Sequence, residues 1–529
     1  MRTVSLVSKV GPVVNGLRST SRRVWWTSFV IVAALIGLWG LSNPVFAGPD
    51  EPTHVIRADA LDHGELTGRE PRGRLDKQLD PVRESVRLVR APEIYLPVSG
   101  PPCYAHHKDI TACFNIIGSG RDTDVPTYAA DQPPAYDAVV GIVSWVRTPG
   151  AGTVYFMRLL SALITGAFIA TAITALRRTS APTLMAAGLV IALTPMVLFM
   201  GSVVNPNGVE IGASIALWVC GIVLASASST RVDNRLVTAV GIAGCVLALS
   251  RQLGPLWLGL IALAVLGVAN RAALRNLARS GWARLWGVLV LGSVFSQIAW
   301  DVIVRPRDTT LVDRAPTGLS ALEAIEDSIG STYRWYREMI GWFGWLDTPA
   351  PVLTWLLWTA VIAFFVFVAV AWASRRHVML LVAVLASVVV VPIVIEATPY
   401  RAAGNFWQGR YALPLAVGVP VVAAFALAAT QRGRELVTTR FLFSVGVAVG
   451  VAHLLAFAQN LRRYTVGYHG EIQYWRHARW LPPVSPLLLT IAYALVVLAF
   501  TAWLLWPAKL TPAHETSSLR LNRSEGARR

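Results

Sequence analysis

Charged residues and cysteines are both scarce in this sequence. Asp, Glu, Lys and Arg make up 15% of its 529 residues, whereas apolar residues make up 54%. Soluble globular domains average about 25% charged residues, so this composition excludes a soluble domain and indicates an integral membrane protein. No internal repeat or low-complexity segment is visible, which argues against a transporter built from two related halves.

Acidic residues are fewer than basic residues. The sequence has 30 Asp and Glu against 47 Lys and Arg, which gives a net charge of +17. The basic residues cluster before the first apolar segment and in short connections, where they mark the cytoplasmic side of a membrane protein. We therefore expect contact with membrane lipid and no nucleic-acid partner. The clusters comprise Arg2, Lys9, Arg18, Arg22, Arg23, Arg177, Arg178, Arg231, Arg235, Arg271, Arg275, Arg279, Arg284, Arg375, Arg376, Arg432 and Arg434.

Apolar segments of about 20 residues recur along the chain, each long enough to cross a hydrocarbon core roughly 30 Å thick. The first is not a cleaved signal, because it continues into Asn43-Pro44 without a clear cleavage motif. The fifth and sixth are short and could instead form a re-entrant hairpin. The predicted fold class is an all-α polytopic membrane protein with extracytoplasmic loops and about twelve transmembrane helices: 24–41, 153–176, 182–203, 208–228, 235–250, 254–269, 285–303, 351–373, 378–396, 411–430, 440–459 and 485–506.

Charge and hydropathy together predict how the chain is organised about the membrane. The regions are a basic cytoplasmic N-terminus, 1–23; an N-terminal transmembrane module, 24–303, with an outer loop, 42–152; an outer loop, 304–350; a C-terminal transmembrane module, 351–506, with an outer loop, 460–484; and a cytoplasmic tail, 507–529, expected to be disordered.

The four cysteines divide between these regions. Cys103 and Cys113 lie ten residues apart in the first outer loop, a spacing that suits a disulfide in an oxidising compartment. His106-His107 between them could indicate zinc, but a disulfide with two exposed histidines is favoured. Cys220 and Cys245 lie in apolar segments and are interpreted as core residues.

Two adjacent carboxylates, Asp50 and Glu51, follow the first apolar segment closely. Acidic side chains beside a membrane helix cost desolvation energy, which favours a functional role such as a general base. The alternative is that they cap the start of a helix after Pro49. His54 follows Glu51 by three residues, so a divalent metal could be held by Asp50, Glu51 and His54, although packing or a hydrogen bond is favoured for His54.

Other polar residues fall at the same predicted face as this acidic pair. We expect one outward-facing cleft in which Arg251 and Arg410 hold a phosphate, because guanidinium groups bind phosphate in a bidentate manner. The alternative for Arg410 is an interfacial snorkelling residue. Asn205-Pro206-Asn207 is also compatible with a turn that starts a helix. The remaining residues expected to line the cleft are His54, Arg57, Gln132, Tyr136, Asn205, Asn207, Asp347, Gln408 and Tyr411.

The predicted location of the cleft restricts its chemistry. Nucleotide sugars are not generally available outside the plasma membrane, so a transferase there needs a lipid-carried donor such as a polyprenyl-phosphate sugar. The phosphate is already a good leaving group, whereas the acceptor hydroxyl needs a carboxylate to accept its proton. A single base and an in-line displacement would invert the anomeric centre.

The chain resembles a bacterial membrane family known as domain of unknown function 2142. The resemblance rests on Pro49-Asp50-Glu51-Pro52-Thr53-His54, Gln132-Pro133-Pro134-Ala135-Tyr136, Asn205-Pro206-Asn207, Gly341 to Asp347 and Gln408-Gly409-Arg410-Tyr411. That family is similar to C-type (GT-C) glycosyltransferases, which implies a GT-C-like bundle, a lipid-phosphate sugar donor and a base at Asp50 or Glu51. Arg251-Gln252 departs from the family's pattern, where a lysine is expected.

These observations predict a GT-C type glycosyltransferase of the bacterial plasma membrane. It would transfer a sugar from a polyprenyl-phosphate donor to an envelope glycan, glycolipid or protein on the extracytoplasmic face. No cofactor is required by this interpretation, although some GT-C enzymes use a divalent metal. The alternatives are a transporter or flippase of lipid-linked intermediates and a non-catalytic scaffold for envelope assembly.

Overall fold

The protein was analysed in a computed structural model that describes residues 10–70, 86–98, 102–113, 120–146, 148–227, 232–304, 320–403 and 406–505. The tail expected at 507–529 lies outside the described residues. The described chain is mostly helical, and its only sheets are two small antiparallel sheets of two strands each. The predicted all-α polytopic membrane class is therefore confirmed.

The described chain contains nineteen α-helices, of 4 to 33 residues, and four short strands. The helices are α1 (Val10–Ser42), α2 (Glu51–Asp62), α3 (Ala135–Gly141), α4 (Ala151–Leu176), α5 (Pro182–Ala192), α6 (Pro195–Gly201), α7 (Pro206–Ser226), α8 (Asn234–Ser250), α9 (Gly254–Val268), α10 (Arg271–Arg279), α11 (Gly281–Ile303), α12 (Ala321–Gly341), α13 (Val352–Trp372), α14 (Arg375–Ala403), α15 (Leu413–Ala416), α16 (Gly418–Ala428), α17 (Gln431–Glu435), α18 (Thr439–Val466) and α19 (Pro486–Leu505). The strands are β1 (Arg87–Pro92), β2 (Asp122–Thr127), β3 (Trp342–Phe343) and β4 (Thr348–Pro349).

Most of the predicted spans are helices that are long and apolar enough to cross a membrane. Within the described residues, nine helices are long and apolar enough, or ten if α5 and α6 count as one bent span, against about twelve predicted. The segment predicted at 182–203 bends by 71° between α5 and α6. Pro195 starts α6, and the Thr194 hydroxyl accepts a hydrogen bond from the Val197 amide at 3.3 Å, so a new helix is capped where the first one ends.

The predicted pair at 235–250 and 254–269 forms α8 and α9. These helices have 17 and 15 residues, which at about 1.5 Å per residue gives lengths of roughly 22–26 Å, short of the hydrocarbon core. The break between them falls at Arg251 and Gln252, where Arg251 adopts an extended backbone. The chain thus turns within a pair of short apolar helices, and this turn carries Arg251 to the site described below.

Helix α7 lies at the centre of the bundle, since 94% of its most apolar 18 residues are buried, against 6% for the peripheral α11. Small residues allow the neighbouring helices to approach closely: a Cβ added to Gly212 of α7 would lie 3.1 Å from Thr165 of α4. On the other side of α1, the fully buried Trp39 donates its indole N–H to the Tyr493 hydroxyl of α19 at 2.9 Å. This packing fixes the end of α1 from which Asp50 follows.

The described residues between α1 and α4, which we call the cap, form a small separate core. Strands β1 and β2 pair antiparallel, with Val89 opposite Val125, and α2 packs on them and on α3. Cys103 and Cys113 form a disulfide in the cap, as their spacing predicts. Ten of the twelve residues of α2 are buried, so this helix is an internal element despite its many polar side chains.

The disulfide loop is attached to the rest of the bundle through Arg463 of α18. Its guanidinium donates to Asp347 Oδ2 at 2.9 Å and to the carbonyl oxygens of Tyr104 and Ile110 at 2.6 and 2.8 Å. Asp347 Oδ2 also accepts the His106 amide at 3.0 Å. Asp347, predicted to line the cleft, thus joins the β3–β4 hairpin to the disulfide loop.

Asp59 of α2 gives the cap a pH-dependent stability. Burial raises the pKa of Asp59 to about 6, although Ser144 and His63 oppose the shift. A carboxyl whose folded pKa lies above its unfolded value near 3.8 stabilises the fold below about pH 4, and this contribution is lost as the pH rises through 6. We expect Asp59→Asn to stabilise the protein by ~1–3 kcal/mol at pH 7.5 and to have little effect at pH 4.

The measurement is thermal unfolding in detergent at both pH values. Asp62→Asn, on the less buried side of the same helix, is the matched control and should leave the midpoint nearly unchanged. An equal stabilisation by Asp59→Asn at both pH values would contradict the assignment.

Candidate active site at Asp50 and Arg410

Asp50 connects α1 to α2 in an unusual backbone conformation. Its φ of 60° and ψ of 5° lie in the left-handed region, which Asp tolerates better than most residues other than glycine. Within the described chain, its side chain makes no capping hydrogen bond to α2. Asp50 thus occupies the N-cap position of α2 without a side-chain capping bond, whereas Glu51 lies in the first turn as the helix-start alternative allows. The carboxylate of Asp50 is available to other partners.

The carboxylate of Asp50 meets the guanidinium of Arg410, 360 residues later in the chain. Asp50 Oδ2 accepts from Arg410 Nη2 at 2.6 Å; the Arg410 side chain is 1% exposed and that of Asp50 is 44% exposed. Partial burial opposes ionisation of Asp50, but Arg410, His54 and Arg251 outweigh it and hold the pKa of Asp50 below its usual range. Arg410 faces inward, which contradicts the snorkelling alternative.

The loop that carries Arg410 is held by two buried glutamates. Glu338 Oε2 accepts the Gly409 amide at 2.6 Å, and Glu396 Oε1 accepts the Phe406 amide at 2.7 Å. Burial raises the pKa of Glu338, although the Gly409 amide and nearby arginines oppose the shift. Both carboxylates bind backbone amides of the loop and not the Arg410 guanidinium. Among the described residues, Arg410 therefore has no second direct carboxylate partner.

Two N–H groups of Arg410 have no partner. Within the described chain, Nε and Nη1 are buried without a hydrogen bond, while Nη2 contacts Asp50 and, at 3.3 Å, the Tyr411 hydroxyl. A buried donor without a partner costs ~1–3 kcal/mol, and charged groups cost more. This deficit indicates a position for an anionic ligand, since an oxyanion bound at either fork of the guanidinium would satisfy one of these nitrogens.

Arg251 approaches the same place from the turn between α8 and α9. Its guanidinium lies 4.8 Å from the centre of the Tyr411 ring, and that of Arg410 lies 5.1 Å from the same ring. Arg251 Nη1 donates to Asn207 Oδ1 at 2.7 Å, and Asn207 Nδ2 donates to Glu210 Oε2 at 2.8 Å. The structure thus brings together the two arginines that were predicted to hold phosphate.

Asn205 links the start of α7 to the loop before α2. Its Nδ2 donates to the Pro49 carbonyl at 2.9 Å, and its Oδ1 caps α7 through the Asn207 amide at 3.0 Å. The helix-start interpretation of this motif is correct, and the same residue also fixes the chain next to Asp50. One asparagine therefore sets the distance between the acidic loop and the central helix.

Glu51, unlike Asp50, is fully engaged and buried. Its two oxygens accept from Nε and Nη2 of Arg158, both at 2.7 Å, and also from the Val204 and Gly48 amides. Arg158 further donates to the carbonyls of Gly40, Asn43 and Pro44, which closes the end of α1. Of the two adjacent acids, only Asp50 is open to a ligand.

Three other predicted cleft residues are buried in the cap. His54 Nδ1 pairs with Asp137 Oδ1 at 3.1 Å, Arg57 Nη1 donates to the Glu65 carbonyl at 3.0 Å, and the Tyr136 hydroxyl donates to Ser161 Oγ at 3.1 Å. These side chains support α2 and α3 from behind the site. Gln132 is half-buried just before α3. The structure does not place these four around Arg410 as it does Asp50 and Tyr411.

An apolar cavity of about 190 Å³ begins beside the Arg410 loop. Val389, one of its lining residues, is 47% exposed, so the cavity opens onto the outer surface of the bundle. The indole N–H groups of Trp335 and Trp407 are buried without a partner among the described residues, and both side chains line the cavity. Its walls come from α5, α12, α13, α14, α15, α16 and the loops beside them, and include Thr194, Met339, Val388, Leu413 and Pro420.

Comparison with known families identifies the chain. A family model described as "Predicted membrane protein (DUF2142)" matches residues 34–419. The chain belongs to this family. No curated protein matches this DUF2142 protein.

Two solved structures are similar to the DUF2142 protein. Both are crystal structures of ArnT from Cupriavidus metallidurans, one bound to undecaprenyl phosphate and one in the apo state. The undecaprenyl phosphate complex shares 14% sequence identity with the DUF2142 protein, and the match covers 91% of the DUF2142 chain and 76% of the ArnT chain, with a TM-score of 0.44. The apo structure shares 15% identity, and the match covers 92% and 77% of the two chains, with a TM-score of 0.45. A likeness at this level assigns no residue roles.

The metal site that the sequence allows in the DUF2142 protein is not assembled in the described chain. Within the described residues, no group of three or more His, Cys, Asp and Glu side chains could hold a metal ion. Of its three candidate ligands, Glu51 is engaged by Arg158 and His54 by Asp137. The third candidate ligand, Asp50, forms an ion pair with the guanidinium of Arg410.

Sequence reasoning missed four charged residues that shape the site. Arg158 and Glu396 lie inside apolar helices, and this position is itself a signal, because ionisable residues within membrane helices usually have a specific partner. Glu338 lies on α12 one turn from Arg334, where it reads as an ordinary helical ion pair. Asp137 lies in the first turn of α3, where an acidic residue is common for reasons unrelated to a site.

Proposed function

We propose that this DUF2142 protein is a membrane glycosyltransferase that transfers a sugar from a polyprenyl-phosphate donor to an envelope glycan, glycolipid or protein. The single observation that carries the proposal is the pairing of a half-exposed carboxylate, Asp50, with a buried guanidinium, Arg410, that has two unsatisfied N–H groups. A proton acceptor and an oxyanion site in contact are the two groups that this reaction needs.

The donor phosphate would lie against Arg410 and Arg251. Arg410 offers Nε and Nη1, both without a protein partner in the described chain, and Arg251 adds a second positive charge beside the Tyr411 ring. The indole N–H groups of Trp335 and Trp407, which have no partner among the described residues, are further donors in the wall of the cavity. Charge-assisted bonds of this kind are the strong contacts that fix phosphates in proteins.

The polyprenyl chain would enter through the apolar cavity. The cavity is lined almost entirely by apolar side chains, and Trp407 and Leu413, on either side of Arg410 in sequence, both line it. A lipid-linked donor must reach the site laterally from the bilayer, and the opening at Val389 lies on the outer surface of the bundle. A headgroup site beside an apolar channel therefore supports a lipid phosphate over a soluble sugar phosphate.

The chemistry assigned to Asp50 is general base catalysis. The carboxylate accepts the proton of the acceptor hydroxyl as the acceptor oxygen bonds to the anomeric carbon. The bond between that carbon and the phosphate oxygen breaks, and its electron pair leaves with the polyprenyl phosphate. Displacement from the side opposite the phosphate inverts the anomeric configuration.

The proposed location of the reaction is the extracytoplasmic face of the bacterial plasma membrane. Arg22 and Arg23 are exposed at the start of the apolar part of α1, Ser21–Ser42, and Asp50 follows the other end of this helix. Arginines that flank a membrane span mark its cytoplasmic end. The Asp50 end of the bundle would then face outward, where a lipid-carried donor is needed.

Substituting Arg410 tests the donor site. We expect Arg410→Lys to raise the donor KM by about tenfold or more, because a lysine keeps the charge but loses the planar fork that contacts two oxygens. The assay measures transfer from a polyprenyl-phosphate sugar in detergent or nanodiscs. Arg275→Lys on the exposed face of α10 is the matched control and should behave as wild type. An unchanged donor KM in Arg410→Lys would overturn the proposed phosphate site.

A further inference from the structure

In the free protein, Asp50 and the Tyr411 hydroxyl together occupy Nη2, the one nitrogen of Arg410 that a bidentate anion needs. A guanidinium can bind two oxygens of one anion through either of two pairs of nitrogens, which we call forks. One fork is formed by Nε and Nη2 and the other by Nη1 and Nη2, so Nη2 belongs to both. The Arg158–Glu51 pair in this protein uses the first fork, with both bonds at 2.7 Å. On Arg410, Nη2 is held by Asp50 at 2.6 Å while Nε and Nη1 are free of partners in the described chain.

We propose that the phosphate of the lipid donor displaces Asp50 from Arg410 Nη2, so that donor binding releases the carboxylate that then serves the acceptor. This inference rests on the proposed function and adds the order of events at the same site. Before the donor arrives, the carboxylate is neutralised by the guanidinium. Afterwards the phosphate holds both nitrogens of one fork, and Asp50 is free to accept a proton.

The two ion pairs that follow α1 differ in how easily they can be exchanged. Glu51 is fully buried and accepts four hydrogen bonds, so its separation from Arg158 would leave a buried charge alone. Asp50 is 44% exposed, and the single side-chain hydrogen bond described for it goes to Arg410. Its carboxylate can therefore turn towards water without loss of core packing.

The competing groups around Arg410 favour exchange once a phosphate is present. One of the two unsatisfied nitrogens, Nε or Nη1, gains a partner that it lacks in the free protein. Arg251, whose guanidinium contacts the same Tyr411 ring as that of Arg410, attracts the phosphate as well. The exchange predicts ordered kinetics, in which the donor binds first and the acceptor second.

Binding of a polyprenyl phosphate without sugar tests this exchange, because it requires no transfer. If Asp50 competes for Arg410, Asp50→Asn should bind polyprenyl phosphate about tenfold more tightly than wild type, although it removes the proposed catalytic base. Asparagine keeps the size of the side chain and tolerates the left-handed backbone. Intrinsic tryptophan fluorescence of the full-length protein in nanodiscs provides the signal, since Trp335 and Trp407 line the cavity.

Removal of a negative charge could by itself strengthen anion binding, so a charge-matched control is needed. Glu338→Gln removes a carboxylate that acts on Arg410 through space, and the glutamine amide oxygen can still accept the Gly409 amide. We expect a gain of at most about threefold from this variant, because it does not free Nη2.

The outcomes separate the two proposals. Tighter binding in Asp50→Asn but not in Glu338→Gln supports the exchange. Equal gains in both variants, or unchanged or weaker binding in Asp50→Asn, overturn the exchange and leave the donor site standing. No binding by wild type or by either variant overturns the donor site itself, and with it the proposed function.

Discussion

Asp50→Asn is expected to reduce sugar transfer by about 10²- to 10⁴-fold while the protein remains folded. The substitution removes the proton acceptor but keeps the size of the side chain and the left-handed backbone at position 50. Transfer is measured with a radiolabelled polyprenyl-phosphate sugar and membranes that contain the acceptor. In cells, the same variant should accumulate lipid-linked sugar.

Asp62→Asn, at the other end of α2, is the matched control and should transfer sugar at the wild-type rate. Normal transfer by a well-expressed Asp50→Asn variant would contradict the assignment of the base. That result would favour the scaffold or the lipid transporter, because either could use the Arg410 site and the apolar cavity without a proton acceptor. Movement of labelled lipid across proteoliposomes would then separate these two alternatives.

Glu51→Gln is expected to lower the free energy of unfolding by ~3–5 kcal/mol, the usual cost of breaking a buried ion pair. Loss of the Glu51 charge leaves the Arg158 guanidinium buried without a counterion. The midpoint of thermal unfolding is measured by size-exclusion chromatography in detergent after heating. Expression should fall together with the midpoint.

A double variant shows whether the loss comes from the unpaired charge. Glu51→Leu combined with Arg158→Met replaces the pair by apolar side chains and should recover part of the lost stability. The recovery should be incomplete, since the carbonyls of Gly40, Asn43 and Pro44 lose their donor. If Glu51→Gln folds like wild type but does not transfer sugar, Glu51 is the base and the assignment to Asp50 is wrong.

The meeting of Asp50 with Arg410 was within reach of sequence reasoning. Both residues flank predicted apolar segments on the same face, and a carboxylate near lipid requires a partner. The division of roles between Asp50 and Glu51 could not be predicted from the sequence, because it depends on Arg158, a residue inside another apolar segment. Nothing in local sequence reveals which of two adjacent acids will face that arginine.

The sequence predicted about twelve spans, and nine or ten of the described helices are long and apolar enough to cross a membrane. Hydropathy measures composition along a window and is insensitive to direction, so the 71° bend at Thr194 and Pro195 is invisible to it. The short helices α8 and α9 are the pair for which the sequence left open either two spans or a re-entrant hairpin.

Polar residues in the first loop were expected at a cleft because polar side chains normally face water. His54 and Arg57 instead satisfy partners inside the cap, where Asp137 and the carbonyls of the loop after α2 meet them. Burial of a polar group is tolerated when its hydrogen bonds are made, and those partners lie outside the motif that drew attention to the loop.

The left-handed backbone at position 50 restricts which residue types can occupy this position. Glycine, asparagine and aspartate adopt it at low cost, whereas glutamate and other longer residues incur torsional strain. Of the three tolerated residues only aspartate carries a carboxylate. A shift of the acid to the neighbouring position, or its extension by one methylene, would therefore not restore the chemistry proposed for this protein.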